Sequence, residues 1–163
     1  MTDQAAGSTT FSLRRSSKLR KTFSVEDGAG NELGTLEWTS RLKDSAEVRG
    51  PDLALDLRTH GMSRTEHTAT SPEGPELVTI DGDASTVAGV DGAVAWSASG
   101  RWKGIEGRLT ADEGRSVRVQ TRPGHKRRAT VEVHGDWPDP TAVAVAAAFA
   151  ALVAESQSVV VTT

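Results

Sequence analysis

Two stretches of this 163-residue chain gather positive charge with no acid among them. Between Thr10 and Val25 stand Arg14, Arg15, Lys18, Arg20 and Lys21. Between Gly114 and Val131 stand Arg115, Arg118, Arg122, Lys126, Arg127 and Arg128. Together they hold eleven of the 19 basic residues, and the other eight share the rest of the chain with all 22 acids. Clustered guanidinium and ammonium groups suit an anion: a lipid headgroup, a nucleic acid backbone or an acidic protein. The plainer reading is that outward strand positions need solvation and Arg supplies it.

Other chemistry finds little support. There is no Cys, which removes thiol nucleophiles, thiolate metal sites and disulfides. His60, His67, His125 and His134 are scattered, and His60 and His67 lack the i, i+4 spacing of a helical zinc pair. Asp81, Asp83 and Asp91 stand beside glycines without the spacing or terminal Glu of a calcium loop, so they read as turns. Asp112 and Glu113 are adjacent and make a poor acid–base pair. No Ser stands in a nucleophile elbow. The expectation is a protein that is not an enzyme and needs no metal or cofactor. Nucleic acid is disfavoured, because aromatics are 4% of residues and the net charge is −3.

The elements that must position these charges read as strands. Phe11 and Leu13, Phe23 and Val25, Leu53, Leu55 and Leu57, Val94 and Trp96, Val117 and Val119, then Ala129, Val131 and Val133 each alternate with polar neighbours. That period of two marks antiparallel strands with one wet face. Turn sequences such as "EDGAGNE", "SPEGPE", "DEGR" and "RPGH" separate them. About ten to twelve strands fit. In "ELGTLEW" the apolar phase slips between Leu33 and Leu36, which points to a bulge at Gly34.

One stretch breaks the pattern. From Ala142 to Ala154 there are 13 residues without a polar side chain. A membrane span needs about 17–25 apolar residues, so this run is too short. Asp139 suits an N-cap, Pro140 a first helical position, and the alanines favour helix. A helix apolar all round must be surrounded all round. The fold expected is therefore mainly β: a closed antiparallel barrel whose lumen holds a buried hydrophobic C-terminal helix at about 139–157. Residues 1–9 are expected to be a disordered tail and 10–163 a single domain. Trp38 and Trp96 should face the helix, Trp137 should plug one mouth, and Trp102 should pack in the core. The first 15 residues lack the apolar core of a secretory signal, so a cytoplasmic location without a transmembrane span is expected.

The stretches "FSVEDGAGNELGTLEW" (23–38) and "RRATVEVHGDWPDPTAVAVAAAFAALVAES" (127–156) resemble the tubby C-terminal-like superfamily, which includes LURP-one-related and phospholipid scramblase-like proteins. The first is similar to that family's early hairpin, the second to its last strand and threading helix. The resemblance implies a twelve-stranded barrel around a central helix. It also implies functions as diverse as phosphoinositide binding and lipid movement, and many bacterial members have no assigned activity. The functional expectation is a non-catalytic binding domain for an anionic ligand, such as a phospholipid headgroup or an acidic protein. The residues expected to bind are Arg14, Arg15, Lys18, Arg20, Lys21, Arg118, Arg122, Lys126, Arg127 and Arg128. If the first and last strands adjoin, Arg14, Arg118 and Arg128 should share one outer face. The alternative expectation is a structural or regulatory protein–protein module without a small-molecule ligand.

Overall fold

The structure is a computed structural model that describes residues 8–17, 22–40, 44–61, 65–101, 103–112, 114–124 and 127–162. Positions 17, 101, 127 and 157–162 are described by backbone alone. Twelve strands precede one helix among these residues. They are β1 (Ser8–Ser17), β2 (Thr22–Asp27), β3 (Glu32–Ser40), β4 (Ser45–Arg49), β5 (Ala54–His60) and β6 (Glu66–Thr70). Then come β7 (Glu76–Ile80), β8 (Thr86–Val87), β9 (Ala95–Arg101), β10 (Gly104–Thr110), β11 (Ser116–Thr121), β12 (Arg127–His134) and α1 (Pro140–Thr162). The expected tail falls mostly on residues outside those described, and β1 already begins at Ser8.

Each strand pairs antiparallel with its neighbour in the order β8-β7-β6-β5-β4-β3-β2-β1-β12-β11-β10-β9. The first and last strands therefore lie side by side. The ends of the sheet, β8 and β9, meet through one Ser85–Val94 bridge and a 3.0 Å bond from the Trp96 N–H to the Gly82 carbonyl. The result is a nearly closed barrel.

Local chemistry sets the details. Asp27 organises the β2–β3 turn, its Oδ1 accepting the N–H groups of Ala29 and Asn31, each at 2.9 Å. The Asn31 backbone bond, with smaller help from its side chain, holds the Asp27 carboxyl below the usual carboxylate range. Gly30 supplies the positive φ, 89°, that the turn needs. The expected bulge is present: Val25 pairs with Gly34 and Glu26 with Glu32, leaving Leu33 over. A Cβ at Gly34 would stand 2.9 Å from the Arg49 carbonyl oxygen, so β4 can approach only because that position has no side chain.

The helix begins as its sequence requires. Asp139 Oδ1 accepts the Ala142 N–H at 3.1 Å, with Pro140 as the first helical residue. Every side chain from Ala142 to Val153 is at most 3% exposed. Such a helix has no wet face; it occupies the lumen, packed on β10, β11 and β12 along one side and β6 and β7 along the other. The wall contributes Leu13, Val25, Leu36, Val48, Leu57, Ile80, Leu109, Val117 and Val131, all fully buried. Each large apolar side chain so buried contributes about 1.5–3 kcal/mol. Phe149 packs between two wall residues, its ring centroid 5.1 Å from that of Trp38 and 5.9 Å from the His67 ring. Trp137 closes the mouth where the chain turns inward, its Nε1–H donating to the His134 carbonyl at 2.9 Å. Trp96 packs over Gly107, where a Cβ would fall 2.3 Å from the indole. Trp102 lies outside the described residues. The helix runs to Thr162, five residues past its expected end. Among the described residues no helix is long and apolar enough to cross a membrane.

Phe149→Asp is expected to abolish folding, because a carboxylate there meets only Trp38, the buried His67 ring and aliphatic groups. A circular dichroism melt checks it: the variant should show no cooperative transition, and a soluble variant melting cooperatively would contradict the buried-helix architecture.

Candidate functional site

Strand pairing brings the two basic stretches onto adjoining strands, β1, β12 and β11. Glu132 of β12 stands opposite Arg118 on one side and Thr10 on the other. Arg14 therefore lies two strands from Arg118 and four residues further towards the Glu155 mouth of the barrel. The windows are free of acid in sequence but not in space. Arg14 Nε lies 3.8 Å from Glu26 of β2, and Arg118 reaches Glu106 of β10 at 3.2 Å and Glu132 at 3.9 Å.

The strongest concentration of charge includes an arginine that the acid-free windows omit. Arg108 of β10 pairs directly across from Arg118 of β11. Like charges opposed across an antiparallel pair repel. Both guanidinium groups lean on one carboxylate, Glu106, at 3.5 and 3.2 Å. The hydrogen bond from Arg118, then its charge, hold the Glu106 carboxyl below its ordinary range. Beside this group Arg122 is exposed and forms no ion pair with a described residue. It borders a depression of about 360 Å³ with Lys103, Glu106, Gln120, Ser99 and Gly100. A second depression of about 260 Å³ lies between Arg108, Arg118, Glu132, Ser116 and His134. Arg108 and Lys103 were not among the expected binding residues. Glu106 stands two positions before Arg108 in the chain, so Arg108 belongs to no acid-free stretch of sequence.

The other expected residues divide. Arg15 is exposed at the end of β1. Lys18, Arg20, Lys21 and Lys126 lie outside the described residues, and Arg127 is described by backbone alone. Arg128 does not share the outer face with Arg14 and Arg118. Leu13 pairs with Ala129 and Arg14 with Arg127, so Arg128 is the extra residue of a bulge. Its side chain turns into the mouth and pairs with Glu155 on the helix, at 16% and 4% side-chain exposure. Alternation placed it outward, and the register break reverses it.

The opposite mouth, closed by Trp137, has the other sign. Asp27, Asp52, Glu73, Asp91, Asp112 and Asp136 stand in or beside its turns. Among the described residues no group of three or more His, Asp and Glu is placed to hold a metal ion.

One buried ionisable group lies inside the wall. His67 of β6 is 7% exposed, its Nδ1 2.9 Å from Thr59 Oγ1 and its ring edge-on to Phe149. Burial, with a smaller effect from His60, lowers its pKa from 6.5 to about 4.

No protein family matches the chain, and no curated protein matches it. A search of solved structures finds the X-ray structure of a protein from Arabidopsis thaliana, at 13% identity and a TM-score of 0.47, covering 80% of this chain and 82% of that one.

The buried ionisable groups His67, Arg128 and Glu155 make stability depend on pH and on pairing. Below pH 6.5 the unfolded chain protonates His67 and the folded chain does not until about pH 4, so stability falls as pH drops through that window. His67→Gln should flatten the denaturant-measured pH profile by about 3 kcal/mol between pH 7 and 4; parallel profiles would contradict it. Glu155→Ala, which strands Arg128, should cost about 3 kcal/mol, whereas Arg128→Met/Glu155→Leu should stay within about 1 kcal/mol of the parent. Chemical denaturation of both variants checks this, and equal losses would contradict it.

Proposed function

We propose that this is a cytoplasmic, non-catalytic binding domain of the tubby C-terminal-like type that recognises an anionic surface, a phospholipid headgroup layer, through the outer face of β9–β11, continued across β12 to β1. The observation that carries the reading is the opposed pair Arg108 and Arg118, both reaching the carboxylate of Glu106 while Arg118 also lies 3.9 Å from Glu132, with Arg122, which forms no ion pair with a described residue, beside them. A surface built for solvation alone gains nothing from setting two guanidinium groups opposite one another, whereas an arriving anion relieves their repulsion. The acidic turns around Trp137 support the same reading, since their repulsion from a negative surface orients the barrel with its basic wall towards it. The barrel and its threading helix are the features that support placing the chain in the tubby-like group. The charged rows act at short range, because the screening length is about 8 Å at physiological salt.

Flotation with phosphatidylcholine vesicles, with and without phosphatidylserine, tests the proposal. The protein should float only with the anionic vesicles, and physiological salt should weaken binding relative to low salt. Each basic group near such a surface contributes about 1 kcal/mol, so Arg108→Glu/Arg122→Glu should lower partitioning by more than about tenfold. Equal partitioning of parent and variant, or none for either, would overturn it.

A further inference from the structure

The strand that ends the sheet carries backbone groups for which the described residues offer no partner. β9 is bonded to β10 along its full length, from Ala95–Thr110 to Arg101–Gly104. On its other side, among the described residues, it meets the β8 end of the sheet at the Ser85–Val94 bridge and the Trp96–Gly82 bond. Backbone groups along a strand point alternately to either side, so those facing this seam belong to Val94, Trp96, Ala98 and Gly100. The seam closes at Trp96. Ala98 and Gly100 lie beyond it, and no described segment pairs with them. Residues 97–100 are all exposed.

We propose that this free stretch of β9 is a docking edge for an extended acidic segment of another protein, which joins the sheet as an additional strand. Natural sheets guard exposed edges with Pro, Lys or an inward charge. From Ala95 to Gly100 the sequence is Ala-Trp-Ser-Ala-Ser-Gly and contains none of these. Pairing an extended peptide to such an edge is an established mode of recognition.

The charge of the partner follows from the neighbouring strands. On β10 Arg108 stands opposite Ser97 and Glu106 opposite Ser99, the Glu106 carboxylate being already engaged by both Arg108 and Arg118, which stands one strand further in. Lys103 lies in the turn that follows β9. Strands lie about 4.8 Å apart, so an added strand places its outward side chains roughly 10 Å from the β10 backbone. The small Ser97 leaves that path clear, within the joint reach of an Arg and a Glu. A second copy of this chain would bring the same positive rows together, so charge disfavours edge-to-edge pairing of two barrels.

Selection of displayed random dodecapeptides on the folded full chain tests the proposal separately from vesicle binding. Enriched peptides should carry Asp or Glu at alternate positions. Adding one should slow amide exchange at Ala98 and Gly100 by at least tenfold. Ala98→Pro removes the N–H that points into the seam and leaves the β10-side bonds in place. It should lose binding while melting cooperatively, and Ala98→Ser should keep it. No enrichment, peptides that bind Ala98→Pro as tightly as the parent, or unchanged exchange at both amides would overturn the docking edge. A concentration-dependent dimer seen by sedimentation, protecting the same amides, would overturn the acidic partner in favour of a second copy.

Discussion

A helix without a polar face has to be enclosed, and the rest of this molecule follows from that requirement. Thirteen apolar residues in succession, Ala142 to Ala154, leave no side of α1 that water can occupy. An open sheet covers one side of a helix. A sheet of twelve strands wound into a barrel covers every side, and the inward rows of Val and Leu along β1–β12 supply the lining. The helix in turn fills the lumen that the strands would otherwise leave empty. Its alanines suit the space, since small side chains let the wall come close, and Phe149 packs between Trp38 and His67.

A smooth apolar helix in a smooth apolar barrel has little to fix its position along the axis. The polar contacts at the two mouths supply that. Asp139 caps the first turn, and Trp137 is tied to the end of β12 through the His134 carbonyl. At the other mouth Arg128 and Glu155 form the one ion pair of the described residues that joins strand to helix. A buried ion pair adds little net stability, but mispairing it is costly, and this suits a register pin. The bulge in β12 has a purpose in this light: without the extra residue Arg128 would face solvent and Glu155 would be buried unpaired.

The sequence made the helix and most strands legible because their causes are local. Asp139-Pro140 marks a helix start wherever it stands before an apolar run, and the phase slip at Leu33-Gly34 announces a bulge on its own strand. What stayed hidden depends on partners distant in the chain. The β12 bulge lies in the register with β1, more than a hundred residues away, so period two alone sent Arg128 to the wrong face. Arg108 has an acid nearby in sequence and an arginine opposite in space, and only the β10–β11 register reveals the second. The helix outran its expected end because a formed helix adds each further hydrogen bond at little cost.

Charge is arranged on this frame with a direction: acids crowd the Trp137 mouth and arginines the outer wall of β10 and β11. That arrangement bears on function only if the barrel is closed around its helix as one cooperative unit, since an open sheet would let the rows drift apart. Native-state amide exchange of residues 142–154 across a denaturant series measures this most directly. The account predicts that these amides exchange only through global unfolding, with the same free energy as Val119 and Val131 in the wall. Exchange through local openings, at a lower free energy insensitive to denaturant, would show a helix that leaves the barrel while the barrel persists, and would contradict it.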